Sequence, residues 1–258
     1  MMRWLLLAAL LLPSADPIPV LVITGANNHD WEYTAPVHKE ILEKTGKFAV
    51  DVTTDPKKTL ADAEGLKKYK AIYLDYNAKE RWGEEAEKNF LDAVKGGVGV
   101  AVIHAANNAF EGWAEYEKLV GFCWRKTPEK STGHGKFHAF DVTMTDRDHP
   151  ITKDLPDLKE HPDELYHNLI HMHGAEHRVL AAAHSSKESK GTGNDEPMII
   201  VLQYGKGRVF HTPLGHVWKG REETKASLAD PQLRLLLARG TEWAATGECT
   251  IPAPEGKK

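Results

Sequence analysis

Gly96-Gly97-Val98-Gly99-Val100-Ala101-Val102-Ile103-His104-Ala105-Ala106-Asn107-Asn108 is the stretch on which the fold turns. A run of small and β-branched apolar residues, opened by a double glycine and closed by a histidine and two amides, reads as a strand buried on both faces that stops at a polar junction. Strands of this kind belong to parallel sheets, whose crossover helices cover both faces. The preceding sequence repeats the unit. Val20-Leu-Val-Ile-Thr24 runs into Gly25, residues 33–44 carry Val37, Ile41 and Leu42 at helical spacing and end at Gly46, and Phe48-Ala-Val-Asp-Val-Thr53 is a second strand. A helical stretch over residues 60–66, a third strand at Ala71-Ile-Tyr-Leu-Asp75, and a helix over 84–95 with Ala86, Phe90, Leu91 and Val94 on one face complete the alternation. The expected architecture is a single α/β domain over residues 18–247: a doubly wound, mostly parallel sheet with helices on both faces.

The second half is less regular. Strands are expected at 137–143, 178–183, 198–204 and 208–212, and a final helix at 231–245. Gly205-Lys206-Gly207 reads as a hairpin turn rather than a phosphate loop. Residues 126–136 and 185–196 are charged, turn-rich and without hydrophobic period, so they are expected as surface loops. The proline-rich tail, residues 248–258, is expected to fray.

The chain has 258 residues, 41% of them hydrophobic, which suffices for one full core. With 33 basic and 37 acidic residues and a formal net charge of −4, it offers no basic stripe to neutralise a phosphate backbone, so nucleic acid is not an expected partner. Arg3 followed by the apolar run from Trp4 to Leu12 and by Pro13-Ser14-Ala15 has the pattern of a signal peptide over residues 1–15, which places the product in the periplasm or outside the cell. No stretch approaches the length of a membrane span. Cys123 and Cys249 stand in no redox or zinc-ribbon spacing; whether they pair stays open, as does a homo-oligomer.

In an open α/β sheet, ligands bind beyond the carboxyl ends of the strands. Two such junctions concentrate chemistry. Asn27-Asn28-His29-Asp30-Trp31 follows the first strand and His104-Ala-Ala-Asn107-Asn108 the fourth, with Trp113 shortly after. An Asx turn or helix cap explains Asn28 or Asp30 alone, but not His29 and Trp31 together. Indole faces beside amide and carboxylate groups suit a carbohydrate, whose ring faces are apolar and whose rim is polar.

These two junctions, with Asp163-Glu164-Leu165-Tyr166 and Tyr204-Gly-Lys-Gly-Arg208-Val-Phe-His-Thr-Pro-Leu-Gly-His216 downstream, resemble the trehalose-utilisation (ThuA-like) family over roughly residues 20–245. The resemblance implies a fold similar to class I glutamine amidotransferases, in which a cysteine occupies the turn after the strand matching Val98–Ile103. Here that turn carries His104, so thiolate attack on glutamine is not available. The resemblance assigns catalytic roles to His104, His216 and Glu164, and substrate contacts to His29, Trp31 and Tyr166. Asn28, Asn107, Trp113 and Trp218 are added as substrate-binding candidates from their place beside these motifs.

Acid–base chemistry on a trehalose-related keto-glycoside follows from the resemblance, with a small-molecule carbohydrate as partner and no certain cofactor. Two alternatives stand beside it: a non-catalytic carbohydrate-binding protein and a metal-dependent hydrolase. Fourteen histidines invite the metal reading. His134 with His138, and His171 with His173, have weak ligand spacings, and His-Glu-x-x-His is absent. A divalent ion would more naturally be held by His29, His104 and His216. His161, His177 and His184 read as solvated surface, and His149-Pro150-Ile151 as a structural turn.

Overall fold

The computed structural model describes residues 16–254; the expected leader at 1–15 lies outside the described residues, as do the last four. The first half alternates as expected: β1 (Ile18–Ile23), α1 (Trp31–Glu43), β2 (Phe48–Thr53), α2 (Pro56–Ala61), α3 (Ala63–Leu66), β3 (Ala71–Leu74), α4 (Glu84–Gly96), β4 (Gly99–Ile103) and α5 (Ala114–Val120). Then come β5 (Phe122–Cys123), β6 (Gly133–Met144), β7 (Leu158–His167), β8 (Ile170–His171), β9 (His177–His184), β10 (Asp195–Tyr204), β11 (Gly207–Thr212), α6 (Ala226–Ala229) and α7 (Pro231–Thr246).

Nine strands form one sheet in the order β2-β1-β3-β4-β11-β10-β9-β6-β7, and β5 pairs with β8 apart from it. From β2 to β11 every pairing is parallel; from β11 to β7 every pairing is antiparallel. Strand β11 therefore joins an α/β half to an antiparallel half. Tyr204 faces Gly207 across the two-residue Gly205-Lys206 turn, as the hairpin reading requires.

The apolar runs are buried on both sides, as parallel strands with crossovers must be. Val20, Val22, Ala101 and Ile103 pack with Ile41 and Leu42 of α1 and Leu233, Leu236 and Leu237 of α7. Their neighbours Leu21, Ile23, Val100 and Val102 face Leu60, Leu66, Phe90, Val94 and Leu119 on the other layer. Helix α7 lies so close to β4 that a Cβ on Gly99 would stand 2.1 Å from the Ala244 carbonyl oxygen, so only glycine fits there.

Three expectations change. The charged segment 126–136 is not all loop, because β6 begins at Gly133, and β10 begins at Asp195 inside the second expected loop. Strand β7 had no counterpart in the sequence reading. The start of the tail is docked rather than frayed: the Glu242 carboxylate accepts from the Thr250 and Ile251 amides at 2.8 and 2.9 Å, and Ile251 is buried.

Candidate active site

The carboxyl ends of β1, β4 and β11 converge on one point. Beyond β1, the loop carries His29. Its backbone amide donates to Asn27 Oδ1 at 3.1 Å, and the Asp30 amide donates to the Val217 carbonyl, tying this loop to the one after β11. Beyond β4 the chain breaks sharply into a single 3-10 turn. His104 takes φ 47°, a left-handed conformation that L-residues avoid and that strained functional turns retain. Beyond β11, Gly215 at φ 114° makes the bend that delivers His216. Strand β7 supplies Glu164 and Tyr166 from the antiparallel half.

Hydrogen bonding fixes which imidazole nitrogens are bare. His104 Nδ1 lies 2.7 Å from the Pro213 carbonyl oxygen, which can only accept, so Nδ1 holds the proton and Nε2 keeps its lone pair. His29 Nδ1 lies 3.2 and 3.1 Å from the side-chain oxygens of Asn27 and Asn28, which leaves its Nε2 bare as well. These two bare nitrogens face each other at 3.2 Å. His216 Nδ1 stands 3.2 Å from His104 Nε2 and 3.3 Å from Glu164 Oε2, and the Tyr166 hydroxyl is 2.9 Å from His104 Nε2.

Burial keeps the three rings neutral. Desolvation, aided by the nearby His216 and His134, pulls His29 down to about 3; burial takes His216 down to about 4 and His104 well below its ordinary value. Glu164 moves the other way, raised chiefly by desolvation and further by the charge of Asp163, against the pull of His134. Burial also raises the Tyr166 hydroxyl well above the usual phenol range. At neutral pH the centre is thus a set of uncharged nitrogen donors beside a carboxyl group more basic than usual.

Such a set fits a divalent transition ion. Ligand nitrogens at the usual zinc distance of about 2.0–2.1 Å and tetrahedral angles lie about 3.3–3.4 Å apart. Two of the three separations here are 3.2 Å, and all three donor atoms lie within 4.8 Å of one another. His29 and His104 already have the hydrogen-bonded second nitrogens that orient metal-ligating imidazoles.

His29 and His216 line a cleft of about 700 Å³ together with Asn28, Asn108, Trp124, His134, Glu164 and Trp218, while His104 is buried and does not line it. Trp218 is 43% exposed and stacks nearly parallel to His216, with an interplanar angle of 10°. Trp124 and Tyr166 meet edge to face with centroids 4.5 Å apart. His134 Nδ1 approaches Glu164 Oε2 at 3.3 Å, so this carboxylate sits between two imidazoles.

Of the sequence candidates, the structure brings His29, His104, His216, Glu164, Tyr166, Asn28 and Trp218 together. Four do not line the cleft, among them His104, which is buried. Trp113 is a core residue, stacked on Tyr116 and covered by the Arg81 guanidinium at 4.4 Å. Asn107 is fully buried behind the wall against His211, and Trp31 opens α1 without reaching the cavity. Asn108 lines the cleft in place of Asn107. Trp124 and His134 were missed or discounted; in an extended strand the spacing to His138 is irrelevant, and the cross-strand pairing of His134 with Tyr166 is what places it. His177 and His184 are exposed as expected, but His161 is not solvated surface: it is fully buried between the carboxylates of Asp163 and Asp230. Cys123 and Cys249 are free thiols, and neither lines the cleft.

Comparison with known proteins identifies the family and the fold. None of the curated proteins matches the chain. A ThuA-like protein from Parabacteroides merdae is 33% identical, with 93% of this chain and 94% of that one covered and a TM-score of 0.83. A ThuA-like protein from Bacteroides uniformis, 18% identical, superposes with a TM-score of 0.68 over 93% and 98% of the two chains. A cytoplasmic protein from Salmonella typhimurium, 14% identical, shares the fold at a TM-score of 0.62 over 89% and 100%. The family model described as "Trehalose utilisation" matches residues 19–244, nearly the whole described chain, and the protein belongs to the ThuA family.

Proposed function

We propose that the protein is a metal-assisted enzyme acting on a carbohydrate that carries a carbonyl group, with trehalose-derived keto-glycosides as the class the family name favours. The observation that carries this is the convergence of two bare imidazole nitrogens, His29 Nε2 and His104 Nε2, at 3.2 Å beside His216 Nδ1. An ion held there supplies Lewis acidity toward a substrate oxygen. The rest falls to the chain. Trp124 and Trp218 offer faces to a sugar ring, and Asn28 and Asn108 reach its hydroxyl rim.

Glu164 is the base. Its raised proton affinity suits removal of a proton from a carbon next to the carbonyl. In an elimination, that C–H bond breaks and its electron pair forms a double bond to the carbonyl carbon, whose π pair moves onto oxygen as an enolate. The enolate then re-forms the carbonyl, the carbon–carbon double bond shifts to the neighbouring anomeric carbon as its C–O bond to the glycosidic substituent breaks, and the same carboxyl returns the proton to the departing oxygen. We extend the proposal to an exported protein on the strength of the N-terminal apolar pattern. Among the described residues no helix is long and apolar enough to cross a membrane.

The test is incubation of chelator-stripped and Zn²⁺- or Co²⁺-supplemented protein with trehalose, 3-keto-trehalose and 3-keto-glucosides, followed by mass spectrometry. Metal-dependent products from the keto-sugars support the assignment. Equal turnover with and without metal overturns the metal part, and silence across the panel overturns the substrate class.

A further inference from the structure

Strand β7 alternates between two faces, so that Glu164 and Tyr166 serve the cleft while His161, Asp163 and Leu165 point into the core. The inward face holds an ionic arrangement with no obvious place in a hydrophobic interior. His161 Nε2 is 3.1 Å from Asp163 Oδ2, and Nδ1 is 2.7 Å from Asp230 Oδ2. His161 and Asp163 are wholly buried. With a carboxylate at each nitrogen the ring is an imidazolium: burial opposes the charge, but the bonds to Asp163 and Asp230 outweigh it and raise His161 to about 9.

Asp163 is saturated with donors. Oδ1 accepts from the Glu164 amide at 2.7 Å and the His216 amide at 3.2 Å; Oδ2 accepts from the Gly215 amide at 2.7 Å and the Ser227 hydroxyl at 2.8 Å. It therefore grips the backbone of His216 and Glu164, whose side chains meet at 3.3 Å in the cleft lining. Asp230 extends the grip to α7, whose first turn it caps by accepting from the Gln232 amide.

We propose that His161 and Asp163 are positioning residues that set the place of His216 and Glu164, resting on the assignment of the cleft as the active centre. The imidazolium orients the Asp163 carboxylate, the carboxylate fixes the Gly215-His216 bend, and that bend sets the 3.2 Å approach of His216 to His104. Support of this kind behind a metal-ligating group commonly changes affinity or activity by about 10–100-fold when removed.

The experiment compares wild type with His161→Gln, Asp163→Asn and the milder Ser227→Ala, measuring Co²⁺ affinity, kcat and KM on a keto-glucoside, and the ¹⁵N resonances of the His216 ring in metal-free protein. Positioning predicts a loss of about 10–100-fold in Co²⁺ affinity for Asp163→Asn, a smaller loss for the other two, and a fall in kcat with KM little changed. Folded variants with wild-type affinity, kcat and His216 resonances overturn it. If Asp163→Asn does not fold, Ser227→Ala and His161→Gln carry the same comparison. If the wild type takes up no Co²⁺ and turns over no sugar, the assignment of the cleft fails, whereas a displaced His216 resonance in His161→Gln still supports the clamp and an unmoved one refutes it.

Discussion

Replacing Tyr166 by phenylalanine should tighten metal binding. The Tyr166 hydroxyl lies 2.9 Å from His104 Nε2, and because His104 Nδ1 is committed to the Pro213 carbonyl, the hydroxyl is the donor in that contact. An incoming cation must displace this hydrogen bond. A neutral bond of this type is worth about 0.5–1.5 kcal/mol net, so removing it should raise affinity by about 2- to 13-fold. The substitution keeps the ring, which packs against Trp124 and lies buried, so the surrounding structure should hold. Competition between the protein and a chromophoric chelator for Co²⁺ measures the change directly, with His104→Ala as the reference for a lost ligand. A tenfold or larger decrease in affinity for Tyr166→Phe would refute the tautomer argument, since it would make the phenol oxygen a ligand rather than a competitor.

Other outcomes follow from named contacts. Trp218→Ala, at a site already 43% exposed, should leave the melting temperature unchanged and raise KM for a keto-glucoside about 2- to 13-fold, the effect of losing about 0.5–1.5 kcal/mol of ring contact; steady-state kinetics decide it. Gly99→Ala sets a methyl group 2.1 Å from the Ala244 carbonyl and should cost about 3 kcal/mol or more, visible as a fall of roughly 6–12 °C by calorimetry. His161 binds its proton more tightly when folded, at about 9 against 6.5 unfolded. Its contribution, of the order of 3 kcal/mol, is therefore complete below pH 6.5 and lost as pH rises through 9. Urea titrations between pH 6 and 10 should show an alkaline decline that is flattened in His161→Gln.

The parallel half was legible because its strands are short, apolar and bounded by glycine, and because crossover helices leave a periodic stripe such as Ala86, Phe90 and Val94. The two junction loops were legible for the same reason: the end of a readable strand marks where ligands bind. Strand β7 was not. Leu158-Lys-Glu-His-Pro-Asp-Glu-Leu-Tyr-His167 has the composition of a surface segment, yet His161 and Asp163 are buried because each neutralises the other, a compensation that hydropathy does not register. Trp113 shows the reverse error, an indole placed in a cleft by proximity in sequence and removed from it by core packing. Asn107 and Asn108 could not be told apart, because a 3-10 turn sends adjacent residues to opposite sides of a wall.

The three imidazoles come from parts of the chain that lie far apart in sequence. His29 and His104 are separated by 75 residues, and His104 and His216 by 112. The last of them arrives with β11, the strand that also closes the gap between the two halves of the sheet. Contacts of such sequence separation form late and carry the largest loop-closure cost. A chain stalled with only its N-terminal strands assembled would expose a two-histidine fragment with little hold on a metal, whereas a finished chain presents all three donors at once. Metal uptake would then report the seating of β11 beside β4, and an ion bound at the centre would tie together the chain segments that follow β1, β4 and β11.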